Sequence, residues 1–213
     1  MPEIYEGFYA RFETYSKTDA AILLGANCLV GDEFEIRIEK DKTPERAVLF
    51  NKFDTNIGYF NNKDTRKIRL LLARGWKVRA VLSLVCFSEN DDEGEYWGEM
   101  AVFGYDPKHE EAFDNFVKGI SEVIASGTRL KIDLGAQMAE RIVETNGDWL
   151  PSQKLPKQKK KEGTAIIKDH RTATESLVEQ GRKGNKGCYV VSWIFLLAVV
   201  AAVVYGLKSC GVF

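Results

Sequence analysis

Through the first half of the chain, apolar residues fall mostly on alternate positions, the period of a strand with one buried face. EIYEGFYARFETY at 3–15 alternates roughly and is rich in aromatics, which predicts a strand added at the edge of the domain. AAILLGANCLV at 20–30 fits a short helix or a buried strand, and Gly25 inside it favours the strand. After the Gly31-Asp32 turn, EFEIRIE at 33–39 sets Phe34, Ile36 and Ile38 on one face and Glu35, Arg37 and Glu39 on the other. RAVLF at 46–50 and IGYF at 57–60 read as two further short strands. WKVRAVLSLVCF at 76–87 begins by alternating and then turns apolar on both faces, as a central strand does. Residues 96–105 return as its hairpin partner across the polar loop Asn90-Asp91-Asp92-Glu93-Gly94.

Elsewhere the period lengthens to that of a helix. Ile68, Leu71 and Leu72 follow the capping candidates Asn61 to Asp64 and precede Gly75, which predicts a short helix over 64–74. Pro107 opens a second, to about residue 126, with Ala112, Phe113, Phe116, Val117, Ile120 and Val123/Ile124 as its apolar stripe. TRLKIDL at 128–134 alternates like a strand, and 137–144 is helical until Asn146-Gly147 stops it. From Pro151 the periodicity ends, so 151–188 reads as a flexible basic linker with one helical stretch at 172–180.

The rhythm changes for the last time at 189–207, YVVSWIFLLAVVAAVVYGL, which carries no charge. As a helix it spans about 28 Å, close to the hydrocarbon thickness of a bilayer. Such a segment satisfies its own backbone while apolar side chains face lipid, and Tyr189, Trp193 and Tyr205 suit its two interfaces. The expectation is a single-pass tail anchor, with 208–213 as a short external tail and no signal peptide at the start. Arg182, Lys183 and Lys186 before the span, against Lys208 alone after it, predict a cytoplasmic N-terminal domain. Ala198, Ala202 and Gly206 recur every four residues, a small-residue stripe that would let two such helices dimerise.

Charge sharpens this division. The whole chain is nearly balanced, but residues 1–150 hold 19 Lys and Arg against 27 Asp and Glu, net −8, whereas 151–187 hold 10 against 4, net +6. An acidic head argues against nucleic-acid binding by bulk electrostatics. The linker cations Lys154, Lys157, Lys159, Lys160 and Lys161, with Arg182, Lys183 and Lys186, form either a solubilising spacer or a contact with an anionic leaflet, where each cation contributes about 1 kcal/mol.

Catalytic chemistry finds little support. Neither a G-x-x-x-x-G-K-[ST] nor a G-x-G-x-x-G phosphate loop occurs, nor a G-x-S-x-G elbow. Cys28, Cys86, Cys188 and Cys210 form no C-x-x-C pair, and His109 and His170 are the only histidines. No catalytic, cofactor or metal site is therefore expected. The most positive local patch of the head is the predicted helix at 64–74, where Asn62, Lys63, Arg66 and Lys67 are candidate ligand or phosphate contacts. Trp76 and Trp97 are cross-strand core partners or a stacking platform for bases.

The middle of the head, about 23–81, resembles the HIRAN domain through L-L-G-A at 23–26, G-D-E-F at 31–34, A-V-L-F at 47–50, I-G-Y-F at 57–60, Leu71, Leu72 and Gly75, and V-R-A at 78–80. The resemblance implies a small β-barrel and binding of a single-stranded DNA 3′ end, with Tyr59 as a candidate contact. The loop after the second strand, I-E-K-D-K-T-P-E-R-A-V, departs from that family in lacking its Asn and Asp.

The fold class expected is thus α+β: a small antiparallel β-barrel-like, HIRAN-like head at 1–150 (core 23–105) with two or three helices, the linker 151–188 and one transmembrane helix. The function expected is a non-catalytic, membrane-tethered module that recognises a protein or peptide, the alternative being a tethered single-stranded DNA binder.

Overall fold

The computed structural model describes residues 3–41, 43–89, 94–156, 163–182, 193–197 and 199. The chain divides into two compact units, Met1–Thr172 and Ala173–Phe213.

The first unit is built on strands β1 (Tyr5–Glu13), β2 (Glu33–Glu39), β3 (Arg46–Phe50), β4 (Asn56–Phe60), β5 (Lys77–Ser88), β6 (Glu95–Tyr105) and β7 (Thr164–Lys168). They hydrogen-bond in the order β2-β3-β4-β1-β6-β5-β7 with every pairing antiparallel, and β2 also pairs with β5. That last pairing closes six strands into a barrel and leaves β7 outside it. Its helices are α1 (Lys17–Leu24), α2 (Asn62–Ala73), α3 (Glu110–Ala125) and α4 (Ala136–Glu144), so the described residues of the head form four α-helices rather than two or three. An α+β barrel head is therefore the observed architecture.

Period-two alternation explains the two cores. Ala10 and Phe12 of β1, Phe34 of β2, Leu49 of β3, Ala80 and Leu82 of β5, and Met100 and Val102 of β6 fill the barrel, joined by Leu23 from α1 and Ile68 from α2. The opposite faces of the same strands carry Tyr5, Val81, Ala101, Phe103 and Tyr105, which pack beneath Phe113, Phe116, Val117 and Ile120 of α3 and Ile142 of α4. Strands β5 and β6 bury both faces, which is why their sequences are apolar almost throughout. Gly58 makes the closure between β4 and β1 possible: its φ is +153°, and a Cβ there would strike the Glu13 carbonyl oxygen.

Four expectations are corrected. Residues 17–24 are helical: Ala20 donates to the Ser16 carbonyl, and Gly25 ends the helix by donating to Ala21 and Ile22 instead of interrupting a strand. β1 is no edge strand, since it pairs along its whole length with β6 and at Phe12 and Glu13 with β4. Residues 128–134 form no regular strand, although the alternation does bury Leu130 and Ile132. Their carbonyls accept the hydroxyls of Tyr9 and Tyr5, both at 2.9 Å, and one isolated bridge joins Leu130 to Lys154.

The fourth correction concerns the linker, which does not begin at Pro151. Pro151 is buried, and β7 adds to the C-terminal half of β5 with Ile166 against Leu84, Cys86 and Trp97. Two cations then fasten the segment. The Lys168 ammonium donates to the carbonyls of Gly25 at 3.0 Å and Cys28 at 3.1 Å, where the end of α1 presents partial negative charge. Arg171 donates to the Val30 carbonyl at 2.7 Å and pairs with Asp32 at 2.9 Å, both side chains largely buried.

The second unit holds α5 (Ala173–Arg182), with Leu177 exposed, and a helical stretch at 193–197. No helix among the described residues is long and apolar enough to cross a membrane. Most of the expected span at 189–207, including Ala198, Ala202 and Gly206, lies outside them, as do Lys157, Lys159, Lys160, Lys161, Lys183 and Lys186.

Candidate interaction surface

The residues singled out in the head do not converge on one site. Tyr59 lies half-exposed on the outer face of β4, its hydroxyl donating to Glu13 at 3.3 Å and its ring 4.7 Å from that of Tyr15. The Arg46 guanidinium sits 4.5 Å from the Tyr59 ring centroid. Burial, and then the neighbouring Glu13 carboxylate, raise the Tyr59 pKa above that of a free phenol. A ring so engaged has one face taken by a cation and carboxylate charge beside it.

The start of α2 is likewise occupied. Asn61 caps it by accepting from the Asp64 amide at 2.9 Å, and its own amide donates to the Asp64 carboxylate at 2.7 Å. A carboxylate thus already stands where an anionic ligand would enter. Lys67 turns away toward β1, pairing with Glu6 at 2.8 Å and lying 3.6 Å from the Phe8 ring centroid. Asn62, Lys63 and Arg66 remain exposed, and Lys63 and Arg66 have no ion pair among the described residues.

The C-terminal half of α2 adds what the sequence reading missed. Ile68 and Leu71 are buried, so Leu70 and Leu72 on either side of Leu71 must point outward, and they are 56% and 38% exposed. Three consecutive leucines in a helix with an otherwise charged outer face were the available signal. Beside them opens a groove of about 480 Å³ lined by Ile38, Lys40, Glu45, Arg69, Leu72 and Ala73. Its floor is aliphatic, and Arg69 pairs across it with Glu45 at 2.9 Å. Lys40, at one rim, has no partner among the described residues.

A second groove, about 380 Å³, runs between β2 and the β3–β4 turn. Its arginines are matched within the chain: Arg37 pairs with Glu35 and Asp54 and covers Phe50, while Arg79 pairs with Glu33 and Asp114; Lys52 at its rim lies 5.6 Å from the Phe53 ring centroid. Hydrogen bonding to Arg37 lowers the Glu35 pKa, as expected of a carboxylate already matched. This groove offers little unspent charge.

The tryptophans separate in the same way. Trp97 packs with Leu84 and Cys86, donates to Ser88 at 2.8 Å and is covered by Arg11, so its role is structural. Trp76 follows α2, with Arg74 5.5 Å from its ring centroid. Among the described residues, no group of His, Cys, Asp and Glu is placed to hold a metal ion. Comparison with protein-family models, curated proteins and solved structures finds no match.

Proposed function

We propose that this chain is a non-catalytic binding module that a single C-terminal transmembrane helix holds at a membrane, its barrel head facing the cytoplasm and recognising a protein or peptide. One observation carries the tether: at 193–197 five consecutive large apolar residues, Trp193 to Leu197, form a helical stretch and are each between 57% and 71% exposed. Water gives such a surface no favourable environment, whereas a hydrocarbon core does. The uncharged flanks of that stretch, from 189 to 207, give it the length to span.

For the head, the HIRAN-like reading draws support from the order β2, β3, β4, α2, β5 in a closed barrel. Its partner is better matched to protein than to nucleic acid. The Tyr59 ring is already capped by Arg46, Glu13 stands beside it, and the head is net acidic. Alkaline carbonate extraction of membranes from cells making the full chain tests the tether: the protein stays in the pellet, and recovery in the supernatant removes the reading. Anisotropy titration of the full chain in neutral-lipid nanodiscs with a labelled single-stranded oligonucleotide tests the choice of partner. Micromolar, salt-dependent binding would transfer the head to the nucleic-acid alternative.

A further inference from the structure

We infer that the edge of β5 at 85–88, with the carbonyls at the end of α1 and the Asp32 carboxylate, is the head's peptide-binding site, and that it takes an extended basic segment of a partner protein patterned Ile-x-Lys-x-x-Arg. Residues 163–172 of the chain itself hold that site as a self-ligand, which the partner strand displaces. The inference rests on the binding-module reading and names the ligand chemistry of that module.

The edge supplies the backbone part of the site. On that side β2 meets β5 only at Ala80 and Val81, so the ladder groups of 85–88 are left to β7, and the Glu89 amide donates to the Gly163 carbonyl at 2.8 Å. Main-chain bonds of this kind hold any extended segment; side chains decide which one.

Three side chains of the strap meet three different acceptors. Ile166 covers the small cluster of Leu84, Cys86 and Trp97. Two residues on, the Lys168 ammonium faces the carbonyls of Leu23 at 3.4 Å, Gly25 at 3.0 Å and Cys28 at 3.1 Å, where a helix end gathers partial negative charge. Three residues further, Arg171 donates to the Val30 carbonyl at 2.7 Å and pairs with Asp32, whose side chain is 11% exposed. A carboxylate so little hydrated calls for a cation opposite it. The acceptors all belong to the head and both donors to the strap, so the site reads an apolar side chain, an ammonium and a guanidinium at fixed spacing. A basic ligand also agrees in sign with the net −8 of residues 1–150.

The occupant is built to come away. β7 lies outside the closed ring of strands, and Ile166 is half-buried and touches neither main core. Before the strap, residues 157–162, KQKKKE, carry no apolar side chain, and after it the first unit ends at Thr172. Release therefore breaks the strap's own contacts and leaves the six-stranded barrel closed. A tethered self-ligand acts at an effective concentration of about millimolar, so a partner's apparent affinity falls with the fraction of chains whose site is open. Weakening the strap then tightens the partner, the opposite of what a purely structural strand would do.

The test uses the full chain in neutral-lipid nanodiscs and, as probe, a fluorescein-labelled peptide with the sequence of residues 163–172. The Lys168→Ser/Arg171→Ser chain is expected to bind it about tenfold more tightly than the parent, and Ile166→Asp, which loosens the strap at its other end, does the same. Protected amides of β1 and β6 in these samples show that the barrel is intact. A peptide with Glu in place of its Lys and Arg does not bind. Asp32→Asn, which keeps an oxygen for the Leu29 amide, weakens the peptide about tenfold in the strap-weakened chain. No binding to either strap-weakened chain, a parent that binds as tightly as they do, or equal binding of the Glu peptide overturns the inference. So does a dimer of the parent that the strap substitutions dissociate, which would give the site to a second copy. Carbonate extraction reads the tether separately: a chain released by carbonate that still shows the competition loses the tether and keeps the site, and a chain that stays in the membrane and ignores the peptide loses the site alone.

Discussion

At the scale of single residues, the most consequential polar pair is one nearly buried between the outer face of the barrel and the segment at 128–134. Arg129 donates to both carboxylate oxygens of Glu99, at 2.7 and 2.9 Å, and its guanidinium lies 4.7 Å from the Tyr9 ring centroid. Glu99 and Arg129 side chains are only 9% and 18% exposed, so removing one partner strands the other in a poor solvent for charge. Glu99→Leu should cost about 3 kcal/mol, and adding Arg129→Leu should restore most of it. Urea midpoints of the single and double variants in detergent check this; an additive double variant would show that the pair is not coupled.

Beside that pair, the Cys86 thiol is pushed up to about 11, chiefly by burial and secondarily by the Glu99 carboxylate. The unfolded thiol titrates near 9.0, so between these values the unfolded chain sheds a proton that the folded chain keeps. This contribution is fully present below the unfolded pKa and is lost as pH rises through the folded one, on the order of 2 kcal/mol. Tyr5, Tyr9 and Tyr105 are raised by burial in the same sense, so the test is differential. Cys86→Ala should lose less stability between pH 8 and 11 than the parent, and equal losses would assign the effect to the tyrosines alone.

At the scale of elements, β7 is the piece whose energetics stand apart. Its inward residue Ile166 meets only the small cluster of Leu84, Cys86 and Trp97, separate from the two main cores. Local opening of such a strand should leave those cores intact. Ile166→Asp is therefore expected to speed amide exchange at 85–88 about tenfold or more, the equivalent of losing one half-buried isoleucine, while amides of β1 and β6 stay protected. Exchange that rose equally throughout the barrel would show β7 to be part of the global unit.

This strand also marks the boundary of what the sequence made legible. β2, α2 and α3 could be read because each repeats its period long enough to declare one buried face, and β3 to β6 because their apolar runs stand between clear turn signals. β7 could not: five residues, TAIIK, follow a run of lysines whose composition dominates any window that includes them. Its anchors, Lys168 and Arg171, look like solvated linker cations until the carbonyls of Gly25, Cys28 and Val30 are brought to them from far along the chain. The interaction surface divides similarly. Arg69 lies on a helix that the sequence shows as charged, but Ile38 and Lys40 reach the same groove only because β2 ends beside α2.

At the scale of the whole molecule, the capture of 163–172 by the head changes how closely the proposed anchor holds it. A free linker over 151–187 would be a leash of about 130 Å at full extension. With the first unit ending at Thr172, only 173–188 separate it from the proposed span, and α5 takes ten of those sixteen residues. Ten helical residues cover about 15 Å and six extended ones at most about 21 Å, so Thr172 stays within about 36 Å of the span. A fluorophore incorporated at Thr172 should consequently transfer energy efficiently to acceptor lipids in the same nanodisc. Inserting about forty Gly and Ser residues after Arg182 should sharply reduce that transfer, since a flexible chain of that length adds roughly 35 Å to the typical separation. Weak transfer in the parent protein, unchanged by the insertion, would mean either that the strap of β7, Lys168 and Arg171 is open in the membrane-bound chain or that 189–207 is not its anchor. Amide exchange at 85–88 on the same sample separates these outcomes, because only an open strap leaves that edge of β5 unprotected.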